Sequence, residues 1–266
     1  MKFASLGSGS KGNALIVSSG DTHVLLDCGL PLKQLEPALA RLGLSVEHLA
    51  AVFITHEHGD HIRGLRGLIR RQKMPIYMTR GTALGADCMH LPNLNFIQDQ
   101  QQVAIDALCI NVVIVPHDAR EPCQYVVSMV ADGVALRSLN GAKDSKRLGL
   151  LTDLGCQSQH VIDAYADCDG LVLECNHDVA MLQEGPYPAS VKRRVLGDWG
   201  HLSNVQARDL LVQLRPEKLQ WLVLAHISQQ NNSVPLAVQE IQSVFPDHER
   251  LVVADQDNGF DWLELV

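Results

Sequence analysis

Apolar and polar positions along the chain follow two rhythms. Short apolar runs rich in β-branched residues alternate with stretches whose apolar residues recur at helical spacing. Residues 1–7 read as a strand entering a glycine-rich turn, Val24–Asp27 as a strand and Leu35–Leu42 as a helix. Ala51–Thr55 reads as a buried strand, and the next stretch, with apolar residues at 62, 65, 68 and 69, predicts an amphipathic helix over Ile62–Arg71. Further strands are expected at Pro75–Thr79, Ile110–Val115, Leu148–Thr152, Gly170–Leu173 and Trp221–Ala225, and helices at Val205–Leu214 and Pro235–Val244. The polar stretch Asp132–Arg147, with two glycines, reads as a hairpin or loop insertion. No linker, low-complexity tract or short repeat interrupts this alternation, so the pattern predicts an α/β protein.

Composition narrows the class without changing it. With 266 residues the chain can bury a sizeable core, as one large domain or two halves sharing a site. No apolar run is long enough for a membrane, and the N-terminus lacks the pattern of a signal peptide. The seven cysteines are odd in number and scattered, with no Cys-x-x-Cys, which predicts neither a disulfide framework nor a cysteine zinc site. A reducing, cytoplasmic setting is expected, and the oligomeric state is open. A net charge of −8 argues against wholesale attraction to nucleic acid, but its distribution is uneven. Between His61 and Gly81 stand Arg63, Arg66, Arg70, Arg71, Lys73 and Arg80 with no acid, and Lys192-Arg193-Arg194 forms a second basic knot.

The chemistry concentrates in Thr55-His56-Glu57-His58-Gly59-Asp60-His61, at the carboxyl end of the buried strand and on the turn into a helix. In extended backbone His56 and His58 point the same way and can share one target. Gly59 lets the chain reverse, so that Asp60 and His61 face a second point nearby. This spacing suits two adjacent divalent cations better than one. Other strands also end in a candidate ligand: His117, Asp153 and His226. A pair of metals needs roughly eight ligating contacts including solvent, so these strand ends would complete the cluster.

The complete His-x-His-x-Asp-His signature resembles the metallo-β-lactamase superfamily. Ser8-Gly9-Ser10-Lys11-Gly12-Asn13, Leu26-Asp27-Cys28-Gly29, Thr152-Asp153-Leu154-Gly155, Glu174-Cys175-Asn176-His177-Asp178, Gly200-His201-Leu202-Ser203-Asn204 and Leu224-Ala225-His226-Ile227-Ser228 are similar to its WalJ/YycJ (VicX) branch of small nucleases. The resemblance covers nearly the whole chain. It implies a four-layer αββα sandwich, one domain over residues 1–266 in two pseudo-symmetric halves, with the site between them. It also implies that His56, His58 and His117 bind one metal and Asp60, His61 and His226 the other, with Asp153 bridging. That donor set suits zinc, while its carboxylates also suit manganese. Asp27 would orient a ligand histidine or form an ordinary strand-end turn. The catalytic roles fall to Asp60 and His201, the latter as proton donor to the leaving oxygen. Lys11, Asn13, His177 and His201 are the candidate substrate contacts. His177 reads equally as a satisfied structural histidine, and the Gly7–Asn13 loop as a phosphate cradle. Gln124 stands where the branch tends to carry glycine.

The implied reaction is hydrolysis of phosphodiester bonds by water acidified between the two cations, on DNA and from its 5′ end. The basic stretches would track the nucleic-acid backbone. The alternatives are a cyclic or small-molecule phosphodiesterase, a thioesterase or lactonase of the same fold, and a non-catalytic regulator.

Overall fold

The computed structural model describes residues 1–130 and 145–266, so most of the 132–147 stretch lies outside the described residues. The first sheet contains β1 (Lys2–Gly7), β2 (Ala14–Ser19), β3 (Thr22–Leu26), β4 (Leu49–Phe53), β5 (Ile76–Met78) and β6 (Leu94–Phe96). The second contains β7 (Gln102–Ile105), β8 (Leu108–Ile114), β9 (Cys123–Met129), β10 (Arg147–Leu151), β11 (Gly170–Glu174), β12 (Trp221–Ala225) and β13 (Leu251–Val253). The last strand, β14 (Phe260–Glu264), returns to the first sheet beside β1. Strand order is β14-β1-β2-β3-β4-β5-β6 in one sheet and β13-β12-β11-β10-β9-β8-β7 in the other. Both sheets follow one plan. The stretch through β3 is antiparallel and β3 to β6 parallel, while β7 to β10 are antiparallel and β10 to β13 parallel.

The apolar runs lack strict alternation because these strands are covered on both faces. Val24, Leu26, Ala51 and Phe53 meet Ile110, Tyr125, Leu148, Leu150, Val172 and Val223 in a core between the sheets. Their neighbours Leu25, Val52 and Ile54 turn outward beneath α1 (Leu32–Arg41), α3 (Leu65–Arg71) and α4 (Arg80–Gly85). Leu151, Leu171, Leu173, Leu222 and Leu224 do the same beneath α5 (Gln159–Tyr165), α8 (Asn204–Gln213) and α9 (Val234–Gln242). The result is the four-layer αββα sandwich. All seven cysteines are free and six are buried. Among the described residues no helix is long and apolar enough to cross a membrane.

Phe53 lies at the centre of the inter-sheet core, stacked on Tyr77 at 4.4 Å and edge-on to Tyr125 at 5.6 Å. The Tyr125 hydroxyl donates to Ile54 O at 2.6 Å, tying the second sheet to the strand that leads into the histidine cluster. Phe53→Ala should therefore lower unfolding free energy by about 3–5 kcal/mol, read as a shift in denaturation midpoint at constant slope.

The helix expected over Ile62–Arg71 divides into α2 (Gly59–Ile62) and α3. The break falls at Gly64, where a Cβ would sit 2.0 Å from Leu30 O. The loop after β3 therefore packs directly on this turn. α3 then runs away from the site, and Arg71 pairs with Glu47 at 2.6 Å beside the amino end of β4. Arg66 lies 3.7 Å from Asp87. The first basic run is thus not one uninterrupted rim, because part of it neutralises acids at the opposite end of the sheet.

Candidate metal centre

Six strands deliver the site from their carboxyl ends: β3 with Asp27, β4 with the histidine turn, β8 with His117, β10 with Asp153, β11 with Glu174 and β12 with His226. Asp27, Asp153 and His226 share a local device that the chain pattern does not announce. Each adopts positive φ (62°, 53° and 53°) one or two residues beyond its strand. That left-handed turn costs a non-glycine residue energy and is sustained where the surroundings fix it. The surroundings here are hydrogen bonds made by each side chain.

Asp27 Oδ1 accepts from Thr55 N at 2.8 Å and Thr55 Oγ1 at 2.9 Å, and its Oδ2 meets His61 Nδ1 at 2.7 Å. His61 is thereby turned so that Nε2 faces Asp153 at 2.9 Å and Asp60 at 3.5 Å. This geometry gives Asp27 the orienting position. His117 Nδ1 lies 2.9 Å from Gly200 O, directing Nε2 into the cluster, where that buried atom has no hydrogen-bond partner. Asp153 Oδ2 is likewise buried without a hydrogen bond, since its 2.9 Å approach to His61 Nε2 is an ion-pair contact outside hydrogen-bond geometry. Buried polar atoms without hydrogen bonds are rare, and two in one cluster of donors call for a ligand.

The ligating atoms form compact sets. Those of His56, His58 and His117 lie within 4.8 Å of one another, as do those of Asp60, His61 and His226, and those of His56, His61 and Asp153. Imidazole and carboxylate at this spacing are the donors a divalent metal takes. A fourth set joins Asp153, Glu174, His201 and His226. Glu174, however, is already saturated. Its Oε2 accepts from Leu154 N at 3.1 Å and Leu202 N at 3.0 Å, and its Oε1 meets His201 Nδ1 at 2.8 Å and His226 Nδ1 at 3.1 Å. One buried carboxylate thus orients two imidazoles, a role the sequence reading missed. Its signal was available, since Glu174 ends an apolar strand just as Asp153 does.

Charge follows from these contacts. Burial opposes ionisation of Asp60, but hydrogen bonds to His226 and His61 outweigh it and hold the carboxyl well below the usual range. Burial likewise opposes ionisation of Glu174, and the neighbouring His201 overcomes it, lowering Glu174 to about 2. Burial would neutralise His201 and His226, but the carboxylates beside them raise both: Glu174 for His201, Asp153 for His226. His56 and His117 go the other way, depressed chiefly by burial and therefore neutral, the form that binds a metal.

The other expected contacts sort by position. His201 lines a cleft of about 440 Å³ together with His58, Asp60, Asp153 and His226. Asn13 does not line it. Its Nδ2 lies 3.2 Å from Asp60 Oδ2 and 3.0 Å from His61 Nε2, and its Oδ1 accepts from Gly9 N, so it braces the cluster from behind. Lys11 is outside the cleft, paired with Asp257 at 3.2 Å. In the glycine-rich loop the amides at Gly7, Ser8, Gly9, Gly12 and Asn13 are spent on Ser5, Gln256, Asn13, Gly9 and Asp60, and the residue that lines the cleft is Ser10. The loop also supplies Ser8 Oγ, which accepts from His226 N at 3.0 Å. Gln124 is a buried β9 residue whose Nε2 donates to Thr152 O, next to Asp153.

His177 is fully buried with neither ring nitrogen hydrogen-bonded, beyond a substrate's reach. Burial pushes it down to about 4. Because the folded-state value lies below the unfolded one, this residue's contribution is present above pH 6.5 and lost as pH falls toward 4. Replacing His177 by Asn should flatten that part of the stability-versus-pH curve. The difference between the two proteins should reach about 3 kcal/mol in denaturant midpoints across this window.

The family model described as the beta-lactamase superfamily domain matches residues 22–227. The chain is 31% identical over 256 residues to exodeoxyribonuclease YycJ of Bacillus anthracis, covering 93% of this chain and 90% of that protein. It is 30% identical over 247 residues to exodeoxyribonuclease WalJ of Streptococcus pneumoniae, covering 89% and 85%. Among solved structures, the metallo-β-lactamase fold protein YhfI from Bacillus subtilis superimposes with a TM-score of 0.72 at 18% identity, over 99% of each chain. Zn(2+)-bound PqqB from Methylobacterium extorquens superimposes with a TM-score of 0.68 at 18% identity, over 100% of each. The chain therefore belongs to the metallo-β-lactamase superfamily, in the branch of the YycJ and WalJ exodeoxyribonucleases.

Proposed function

We propose that this protein is a two-metal phosphodiesterase that digests DNA from its 5′ end, a single domain whose two sheet halves share the site. The observation carrying this reading is a cluster of metal donors opening on a polar cleft, with His201 at the cleft wall and held by Glu174. The whole-length similarity to two exodeoxyribonucleases favours DNA over other phosphodiesters. His56, His58 and His117 would hold one divalent cation, Asp60, His61 and His226 the other, with Asp153 shared between them. Zinc fits the imidazoles and manganese the carboxylates. Such a pair, when bound, supplies a Lewis acid and an acidified water at neutral pH.

The rest of the chemistry belongs to the chain. Asp27 and Glu174 fix the tautomers of His61, His201 and His226, so that the remaining nitrogen of each faces the reacting centre. Asp60, ionised and at the mouth of the cleft, sets the charge that the metals balance. His201, kept protonated by Glu174, stands where it can donate its Nε2 proton to the departing sugar oxygen. A panel of 5′-phosphorylated DNA, RNA, a cyclic nucleotide and a thioester, each with zinc or manganese, tests this assignment. DNA should be the substrate of highest kcat/KM. Preference for the cyclic nucleotide or the thioester would replace this reading.

A further inference from the structure

One wall of the cleft is unaccounted for by the metal donors. It comes from the segment between α6 (Val179–Glu184) and the end of α7 (Ala189–Val195), together with the loop after β12. Tyr187, Val191 and Arg194 line it on one side, Asn176, Ser228 and Asn231 on the other. Arg194 is the one cationic Lys or Arg side chain in the cleft wall among the described residues. Its Nη1 lies 3.1 Å from Asp118 Oδ2, and the other oxygen of that carboxylate lies 3.3 Å from His117 Nε2. The guanidinium is thus one side chain removed from the donor cluster. An ion pair whose arginine is 60% exposed is weak in water, so Arg194 can exchange Asp118 for a phosphate at little cost. Asn231 is 2% exposed and borders the cleft, but its Oδ1 is turned toward Gly185, where a Cβ would sit 2.7 Å from it, so it belongs to the packing of this wall.

We propose that Tyr187 and Arg194 form a subsite for the terminal nucleotide of a DNA strand, with Arg194 on a phosphate and Tyr187 stacked on the base. It rests on the phosphodiester reading and adds to it two residues that position that nucleotide. A cleft of about 440 Å³ lies in the range of small-ligand pockets and admits a nucleotide. The sequence-based picture of Lys192-Arg193-Arg194 as a backbone-tracking knot is refined accordingly. Arg194 faces the cleft, Arg193 is exposed, and Lys192 Nζ donates to Gln183 O.

The test compares the metal-loaded wild type with Arg194→Ala, Arg194→Lys and Tyr187→Ala. The substrates are a 5′-phosphorylated single-stranded oligonucleotide and bis(p-nitrophenyl) phosphate. Arg194→Ala should lower kcat/KM for the oligonucleotide at least about tenfold relative to the chromogenic ester, mainly through KM. Its salt dependence should lose about 0.7 of log–log slope, which Lys restores as a point charge. Tyr187→Ala should weaken binding of a nuclease-resistant phosphorothioate oligonucleotide, read by fluorescence anisotropy, by about tenfold. Equal losses on both substrates, or an unchanged salt slope, would overturn the subsite. If wild type binds the phosphorothioate strand through Arg194 and Tyr187 yet cleaves no DNA, the hydrolytic assignment fails and the subsite stands.

Discussion

Asp153→Asn protein is expected to lose at least about a hundredfold in kcat/KM on DNA while remaining folded. Asp153 is 2% exposed, and its Oδ1 lies 3.1 Å from His226 Nδ1 and 3.4 Å from His201 Nδ1, while its Oδ2 faces His61 Nε2 at 2.9 Å. Its Oδ1 also lies 4.0 Å from His117 Nε2, so among the described residues Asp153 is the carboxylate that approaches histidines of both proposed donor sets. An amide keeps the shape but removes the charge, and an uncharged oxygen is a poor ligand for a divalent cation. The same variant should bind fewer metal equivalents, measured by metal analysis after gel filtration. Glu174→Gln is the informative contrast. All four acceptor positions of Glu174 are already engaged, so its substitution removes no proposed ligand and should lower metal content less than Asp153→Asn does, while turnover falls through His201. Near-wild-type activity in Asp153→Asn would remove Asp153 from any bridging position.

His201→Gln should cost about 10²–10⁴ in kcat on DNA, the range of general acid catalysis. The loss should depend on the leaving group. A sugar alkoxide needs a proton as it departs, whereas p-nitrophenolate leaves without one. On bis(p-nitrophenyl) phosphate the same variant should therefore fall by about tenfold or less. Its pH profile provides a second readout. Glu174 holds His201 above its ordinary value despite burial, so the protonated form persists at neutral pH and is depleted as pH rises. The alkaline limb of the wild-type kcat profile should accordingly disappear in His201→Gln. A uniform loss on both esters would instead mark His201 as a packing residue.

The seven proposed donors were readable from the chain because His56, His58, His117, Asp153 and His226 follow strand ends and Asp60 and His61 open α2 directly after one of them. Their convergence was not. It depends on left-handed turns at Asp27, Asp153 and His226, conformations that aspartate and histidine reveal only in context. Glu174 shows the complementary gap. Its acid ends a strand in plain view, but only the structure shows its two oxygens shared among Leu154, Leu202, His201 and His226. Asn13 and the glycine loop were legible as a motif, but spacing cannot say that five of its amides are spent on Ser5, Gln256, Asn13, Gly9 and Asp60. The outer strands β6, β7 and β13 are only three or four residues long and mostly half-buried or exposed, too short for the apolar pattern to single them out. Tyr187 carried no signal at all, because its place in the cleft depends on how α6 and α7 pack.

The most direct measurement uses protein stripped with chelator, reloaded with zinc or manganese, and given single-stranded DNA labelled at its 5′ phosphate. The account predicts that the label appears first as a mononucleotide, only in the presence of metal, with the remaining strand shortened stepwise. DNA left intact with either metal, or label first released on long internal fragments, would contradict it.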